Sequence, residues 1–599
     1  MKRTPSYGVW YCCTMWIKSW LPSPQCGRGA GGEGDRRAVI GCLALRIQQA
    51  CSASTLGLLL LLVLPSQAEV AFQDLLKMPA ENWLSYSGDL TARRHSLLKQ
   101  INTSNVGSVV PQWVYHVKDS KRLQVSPVVA DGVMYVSHTN EVYALDAKTG
   151  REIWHYKHVQ AKRHDGNRGV AVLGERVFFV SSDAHLLALH AKTGALLWDT
   201  EYGGYEQNSQ ISATLAPLAI NGKVIVGVTG GDCGVRGFVD AYDAVTGKQL
   251  WRFYTIPGPG EAGFESWGGH PIGISGGGTW MTGTYDASQN LLFWAVGNPG
   301  PDFYGESRPG DNLYSDSVVA LDADTGELKW HYQFTPHDTH DWDAQEFPVL
   351  IDTIFQGKPR KLLVQANRNG FFYVLDRTDG KVLLAKPFVK KMTWARGILP
   401  NGRPDVIPDM DPTPAGRIAC PGIKGASNWF SPSYNPETGL FYVITIEQCD
   451  IYTTSARPYK KGECYDGTGA EAIPTEPGQF FLRAIDIQNG NIRWEIPMVV
   501  KDTMDPWPGT VSTAGGLVFF GDNEGYLSAA DARTGKVLWQ FNTGQLITAS
   551  PMTYSVNGKQ YVALASATDV FSFGLFEPMR PAPVTLKEQY EGNDTKQGN

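Results

Sequence analysis

Short runs of alternating apolar and polar residues dominate the chain, and the same turn breaks most of them. The unit Ala-x-Asp-x-x-Thr-Gly-x-x-x-Trp recurs at 144–154, 241–251, 320–330 and 529–539. Variants occupy 188–198, with His190 in place of the aspartate, and 484–494, with Asn489 in place of the threonine. A degenerate copy, Leu375 to Gly380, ends in Leu384 where the others carry tryptophan, and Gln112-Trp-Val-Tyr115 reads as the final strand of one more copy. Asp-x-x-Thr-Gly is a tight turn, in which the carboxylate closes on backbone amides and glycine takes the left-handed position. The flanks alternate with period two, as strands do. Each unit therefore predicts a hairpin whose last strand carries a tryptophan able to dock on the next unit.

Eight such units, most of them about forty to fifty-five residues apart, predict an all-β radial array of four-stranded blades, an eight-bladed β-propeller. The run Ser550 to Leu564 would supply strands completing the blade that Trp113 begins, so that N- and C-terminal strands close the ring. Closure removes the open edge that invites aggregation. Two intervals are long and rich in Gly or Pro: 251–330, holding Gly276-Gly-Gly-Thr-Trp280 and Gly297-Asn-Pro299, and 384–494, holding Cys420, Cys449 and Asn428-Trp429. Function is usually grafted onto such excursions.

Composition changes this picture little. With 599 residues, 65 glycines and 18 tryptophans, the chain has ample material for a large core of short strands. No basic stripe points to nucleic acid. Residues 1–68 read as a leader: Thr55 to Leu64 is a short apolar run, followed by the small-x-small pattern Ser66-Gln-Ala68. The run is too short for a stop-transfer helix, which favours a cleaved secretory signal, periplasmic export and no integral membrane domain over an uncleaved anchor. The propeller is expected over 69–576, with a tail at 577–599. Cys233, Cys420, Cys449 and Cys464 remain after the leader, and Cys420 with Cys449 is the expected disulfide in an oxidising compartment. No Cys-x-x-Cys-His occurs, so no covalently attached c-type haem is expected.

Candidate chemistry concentrates in Phe334-Thr-Pro-His-Asp-Thr-His-Asp-Trp-Asp343, where three acids and two imidazoles crowd together. A solvated acidic loop is the bland alternative. In an extended segment Asp341 and Asp343 would share a face, and two carboxylates aimed at one point suit a hard cation, or one base beside one ligand.

Six motifs in order carry a resemblance: Gly231-Asp-Cys-Gly-Val-Arg-Gly237, Gly276 to Trp280, Gly297-Asn-Pro299, Thr335 to Asp343, Asn367-Arg-Asn-Gly370 and Trp507-Pro-Gly-Thr510. Residues from about 70 to 576 resemble the pyrroloquinoline-quinone (PQQ)-dependent alcohol dehydrogenases, the eight-bladed quinoprotein family that includes the methanol dehydrogenases. The resemblance implies Trp280 as the aromatic floor under the planar quinone. It implies Gln124, Arg168, Thr214, Thr229, Asn428 and Trp507 as further cofactor contacts. Arg368 would donate to the quinone oxygens, and Asp341 would be the catalytic base. Asp232 and Asn298 would be metal ligands together with Asp341. Asp343 matches the additional carboxylate of lanthanide-dependent members, and the charge count favours a lanthanide(III) over Ca²⁺.

Departures from the pattern are Asp232 where glutamate is expected, Gln124 where glutamate is usual, Lys162 and Arg163 in place of a vicinal cysteine pair, and His340 where tryptophan often flanks the base. The implied activity is oxidation of an alcohol, with a larger alcohol, aldehyde or sugar also open, and a soluble cytochrome c as electron acceptor. The alternative is a non-catalytic propeller of the outer-membrane assembly type.

Overall fold

The computed structural model describes residues 69–159, 166–204, 210–268, 276–456, 460, 463–499 and 508–577. Eight blades of four antiparallel strands follow one another along the chain, blades 1–7 within 128–157, 171–201, 218–254, 284–333, 349–387, 433–498 and 510–542, and blade 7 is extended by the short strand His95–Ser96, parallel to Thr510–Thr513. Blade 8 takes Met552–Val556, Lys559–Ser566 and Asp569–Leu575, and its outer strand is the early segment Val109–His116, antiparallel to Asp569–Leu575. N- and C-terminal strands thus close the ring as expected. Burial follows strand position: the first strand of blade 1, Val128–Ala130, is wholly buried, whereas the fourth, Glu152–Lys157, alternates outward.

The repeat turn does two jobs. In blade 1, Asp146 Oδ1 accepts from the Lys148 and Thr149 amides and from the Thr149 hydroxyl, and blades 3, 4 and 7 repeat this. The glycine then sits face-on to the tryptophan of the preceding blade. Trp154 Nε1 donates to the Ala191 carbonyl at 2.9 Å, and Trp251 Nε1 to that of Ala323 at 3.3 Å. A Cβ on Gly194 or Gly326 would lie 2.6 Å or 2.5 Å from the indole of Trp154 or Trp251. Glycine is therefore required twice over at this turn, for its positive φ and for the indole lying against it. Gly490 meets Leu384 and Lys386 instead, because blade 5 carries the degenerate repeat.

Two glycines separate these effects. Gly326→Ala should destabilise by about 1–3 kcal/mol through overpacking and φ strain together. Gly222→Ala, at φ +78 with open space around it, carries the strain alone. Thermal melts of both variants check the ordering, with the larger drop in Tm expected at Gly326.

Before the first blade, the chain is stitched to the inner strands. The carbonyls of Leu90, Thr91, Arg93 and Arg94 accept from Tyr285, Leu350, Tyr434 and Ser512, in blades 4, 5, 6 and 7. The Arg94 guanidinium is buried, and donates to the carbonyls of Tyr86, Thr510 and Pro551 and to the Ser126 hydroxyl. A buried charge is tolerated only when hydrogen-bonded in this way.

In an antiparallel four-stranded blade, the turn between second and third strands and the connection to the next blade emerge at the same end. The repeat turns lie at the other end. Every sequence-predicted site residue among the described residues falls on the first kind of loop, which gathers them on one face.

Candidate active site

Arg368, in the turn between Lys358–Ala366 and Phe371–Asp376, stands between two of the three carboxylates of the acidic stretch, Asp341 and Asp343. Its Nη1 donates to Asp343 Oδ2 at 2.8 Å, its Nη2 lies 3.7 Å from Asp341 Oδ2, and Nη2 also donates to the Ile423 carbonyl at 2.6 Å. Asp343 Oδ1 accepts from the Asn298 backbone amide at 3.0 Å. Asn298 Nδ2 reaches Asp302 at 2.8 Å and Asp232 at 3.4 Å. A Cβ on Gly297 would fall 2.2 Å from Asp343 Oδ1, so the residue before Asn298 must be glycine for the acid to approach. Loops of blades 3, 4 and 5 thus bring Asp232, Asn298, Asp341, Asp343 and Arg368 together.

Asp341 and Asp343 converge as the alternation suggests, but by a different route. Residues 335–348 form no strand, and Asp341 sits at φ 58. A left-handed residue swings its carboxylate toward Arg368. His340 is buried, stacked 4.3 Å from the Trp342 ring with Nε2 toward the Met410 carbonyl.

A second wall faces this centre's loops. The Arg168 guanidinium lies 5.1 Å from the Trp280 ring and 4.4 Å from that of Trp429, and its Nη1 donates to Thr214 Oγ1 at 2.5 Å. Thr229 bridges Ser212 through the backbone, and the Gln124 carboxamide borders Gly166, two residues before Arg168. The Asn428 side chain closes its own loop, donating to the Lys424 carbonyl and accepting from the Trp429 amide. Trp507, Lys162 and Arg163 lie outside the described residues, as does the leader.

Both remaining cysteine pairs are joined. Cys420–Cys449 is the expected bridge, and Cys233–Cys464 ties the long blade 6 excursion to the residue beside Asp232. Tyr465 donates its amide to the Asp232 carbonyl at 2.8 Å.

The centre is short of positive charge. Burial pushes Asp341 well above the usual carboxylate range; Arg368 opposes this, while Asp343, Asp232 and Asp338 add to it. Burial likewise raises Asp343 against Arg368. Asp232 is open to solvent, yet the protein massed around it and nearby Asp343 push it up to about 6. Glu346, buried with neither carboxylate oxygen hydrogen-bonded, is pushed up to about 8 by burial. Sequence reading missed Glu346 and Asp302, and also Asp316, a buried acid with both oxygens unpartnered. Asp302 could have been found by following the Gly297-Asn-Pro299 motif three residues further.

Acids brought together with too few cations call for a multivalent ion. On the second wall, Arg168 Nε and the Ser212 hydroxyl are buried without partners, donors suited to the carboxylates of a flat aromatic anion lying on an indole. The residues fit both groups.

A propeller whose loops gather buried acids, arginines and indole faces at one end is built as a metal- and cofactor-dependent enzyme. Residues 83–389 and 406–562 match the family described as glucose/ethanol/alcohol dehydrogenase, beta-propeller domain. The chain is 37% identical over 511 residues to the quinoprotein alcohol dehydrogenase PedH of Pseudomonas putida, covering 79% of this chain and 84% of that protein. It is 34% identical to the lanthanide-dependent methanol dehydrogenase of Methylorubrum extorquens, covering 82% and 87%.

Among solved structures, the quinohemoprotein alcohol dehydrogenase of Comamonas testosteroni superposes with a TM-score of 0.77 at 34% identity, over 84% of this chain and 81% of that one. A europium-containing methanol dehydrogenase gives the same TM-score at 32% identity, over 84% and 100%. The chain belongs to the PQQ-dependent alcohol dehydrogenase family. It is an oxidoreductase acting on alcohols, and the scaffold alternative is not favoured.

Proposed function

We propose that this quinoprotein oxidises an alcohol at the Asp341–Arg368–Asp343 centre. The supporting observation is the arginine held between the half-buried Asp341 carboxylate and the buried Asp343 carboxylate, the latter anchored to the Asn298 amide. Trp280, Arg168, Thr214, Thr229, Gln124, Asn428 and Trp507 would hold PQQ, which supplies a two-electron hydride acceptor. Asp232, Asn298, Asp341 and Asp343 would hold the cation, which supplies Lewis acidity.

The chain's own part is positioning and proton transfer. Asp341 takes the substrate hydroxyl proton on a carboxylate oxygen, and its raised affinity for protons suits a base. Arg368 keeps that carboxylate oriented and supplies positive charge in a water-poor pocket. Asp343 fixes Arg368 to the Asn298 loop. Its extra negative charge favours a lanthanide(III) over Ca²⁺.

The apolar run and cleavage pattern within 1–68 support export to the periplasm, with the propeller over 69–576 and a tail beyond. No helix among the described residues is long and apolar enough to cross a membrane. A soluble cytochrome c is the proposed electron acceptor. Reconstitution with PQQ and La³⁺ or Ca²⁺ should give reduction of an artificial acceptor on addition of alcohols. Absence of turnover with every alcohol, aldehyde and aldose tried would refute the assignment.

The clustered acids also set a pH dependence. Asp232, Asp341 and Asp343 bind protons more tightly in the folded protein than in the unfolded chain. Metal-free protein should therefore lose stability as pH rises from about 4, the unfolded carboxylate value, through about 6, where Asp232 titrates. Bound cation removes the penalty. Melting temperatures across pH, with and without La³⁺, should diverge progressively above pH about 4.

A further inference from the structure

On blades 1 and 2, separate from the residues of the acid–arginine centre, His158, Asp183 and His185 converge. Their ligand atoms all lie within 4.8 Å of one another. His158 follows the outer strand of blade 1, Glu152–Lys157; Asp183 lies in the turn between the second and third strands of blade 2, and His185 opens the third strand, His185–His190.

Three features distinguish this from an ordinary polar cluster. His158 is only 7% exposed, and its Nε2 has no hydrogen-bond partner among the described residues although Asp183 Oδ1 is 3.9 Å away. His185 Nε2 stands 4.0 Å from Asp183 Oδ2. Both separations are too long for hydrogen bonds. Ligands about 2.0–2.2 Å from a tetrahedral ion stand roughly 3.4 Å apart, so each separation from Asp183 would close by about half an ångström and the widest spacing in the cluster, no more than 4.8 Å, by up to about 1.4 Å.

Secondly, the outer side of the cluster is arranged as metal-ligating histidines need. His185 Nδ1 lies 2.7 Å from Asp199 Oδ1, which leaves Nε2 free to face inward as a lone pair. The Ser181 hydroxyl donates to Asp183 Oδ1 at 2.5 Å and holds that carboxylate.

Thirdly, the backbone is pinned from both sides by one residue. The Asn140 carbonyl accepts from the His158 amide at 2.8 Å, and Asn140 Oδ1 accepts from the Ser182 amide at 2.9 Å. The three ligands are thus held on two blades by a common bracket.

We propose that His158, Asp183 and His185 bind a divalent transition-metal ion of the Zn²⁺ class. Two imidazoles and one carboxylate make a borderline-soft donor set, distinct from the oxygen-rich centre that suits a lanthanide or Ca²⁺. The ion would clamp blade 1 to blade 2 at the start of the connection that leads to Arg168.

The full chain, purified without quinone and stripped of metal, is titrated with Co²⁺ alone. One equivalent should bind and give the visible d–d bands of a four- or five-coordinate site, which Zn²⁺ bleaches and La³⁺ does not. His158→Gln and His185→Gln should weaken Co²⁺ binding tenfold or more, while Asp343→Ala keeps the bands. Circular dichroism verifies each variant's fold, and Asp183→Asn stands in if either histidine variant fails to fold. Absence of d–d bands in folded wild-type protein, bands persisting at full affinity in the folded ligand variants, or bands displaced by La³⁺ would overturn the assignment.

Discussion

Asp341→Asn should lower kcat by about 10²–10⁴-fold, the range for removing a positioned general base, while leaving the melting temperature of the metal-free protein unchanged or higher. Asparagine is the informative replacement because position 341 sits at φ 58, a conformation asparagine adopts at less cost than alanine. The alanine variant would mix backbone strain with loss of the base. The stability direction follows from the same buried acids: their folded-state affinity for protons is raised, so neutralising one relieves repulsion at neutral pH. Steady-state kinetics of reconstituted enzyme, read beside thermal melts, check both halves. Unchanged kcat would remove Asp341 from the reaction.

Asp343→Ala should reduce La³⁺-supported turnover about a hundredfold or more, comparable to deleting one electrostatic contact in a closed site. Two roles are open to this carboxylate, since it is hydrogen-bonded to both Arg368 and the Asn298 amide. If its charge attracts the cation, Asp343→Asn fails with La³⁺ nearly as badly as alanine, because the amide is neutral. If it only tethers two loops, Asp343→Asn keeps part of the activity with either cation, since its carbonyl oxygen can still accept from the Asn298 amide while its NH2 group loses the bond from Arg368. Activity with La³⁺ and with Ca²⁺, measured for both variants, decides between them; full La³⁺ activity in Asp343→Ala would end the ligand assignment.

Local patterns read directly from the chain. Asp146, Thr149 and Gly150 close their turn within five residues, and strand alternation is likewise a property of neighbours, so blade count and ring closure were visible before any coordinates. The convergence of Asp341 and Asp343 was also legible, although a left-handed residue rather than an extended strand produces it.

What the sequence could not supply is non-local. Cys233 and Cys464 are 231 residues apart, and nothing near either names the other. Glu346 and Asp316 carry no motif, and Trp429 is marked only by its neighbour Asn428; they matter because folding strips water from two acids and lays an indole against Arg168. His158 and the Asp183–His185 segment lie on neighbouring blades, and only blade packing faces them toward each other. Turn and strand propensities are set by contacts a few residues apart, whereas burial and charge crowding depend on which loops the closed ring brings to the same end.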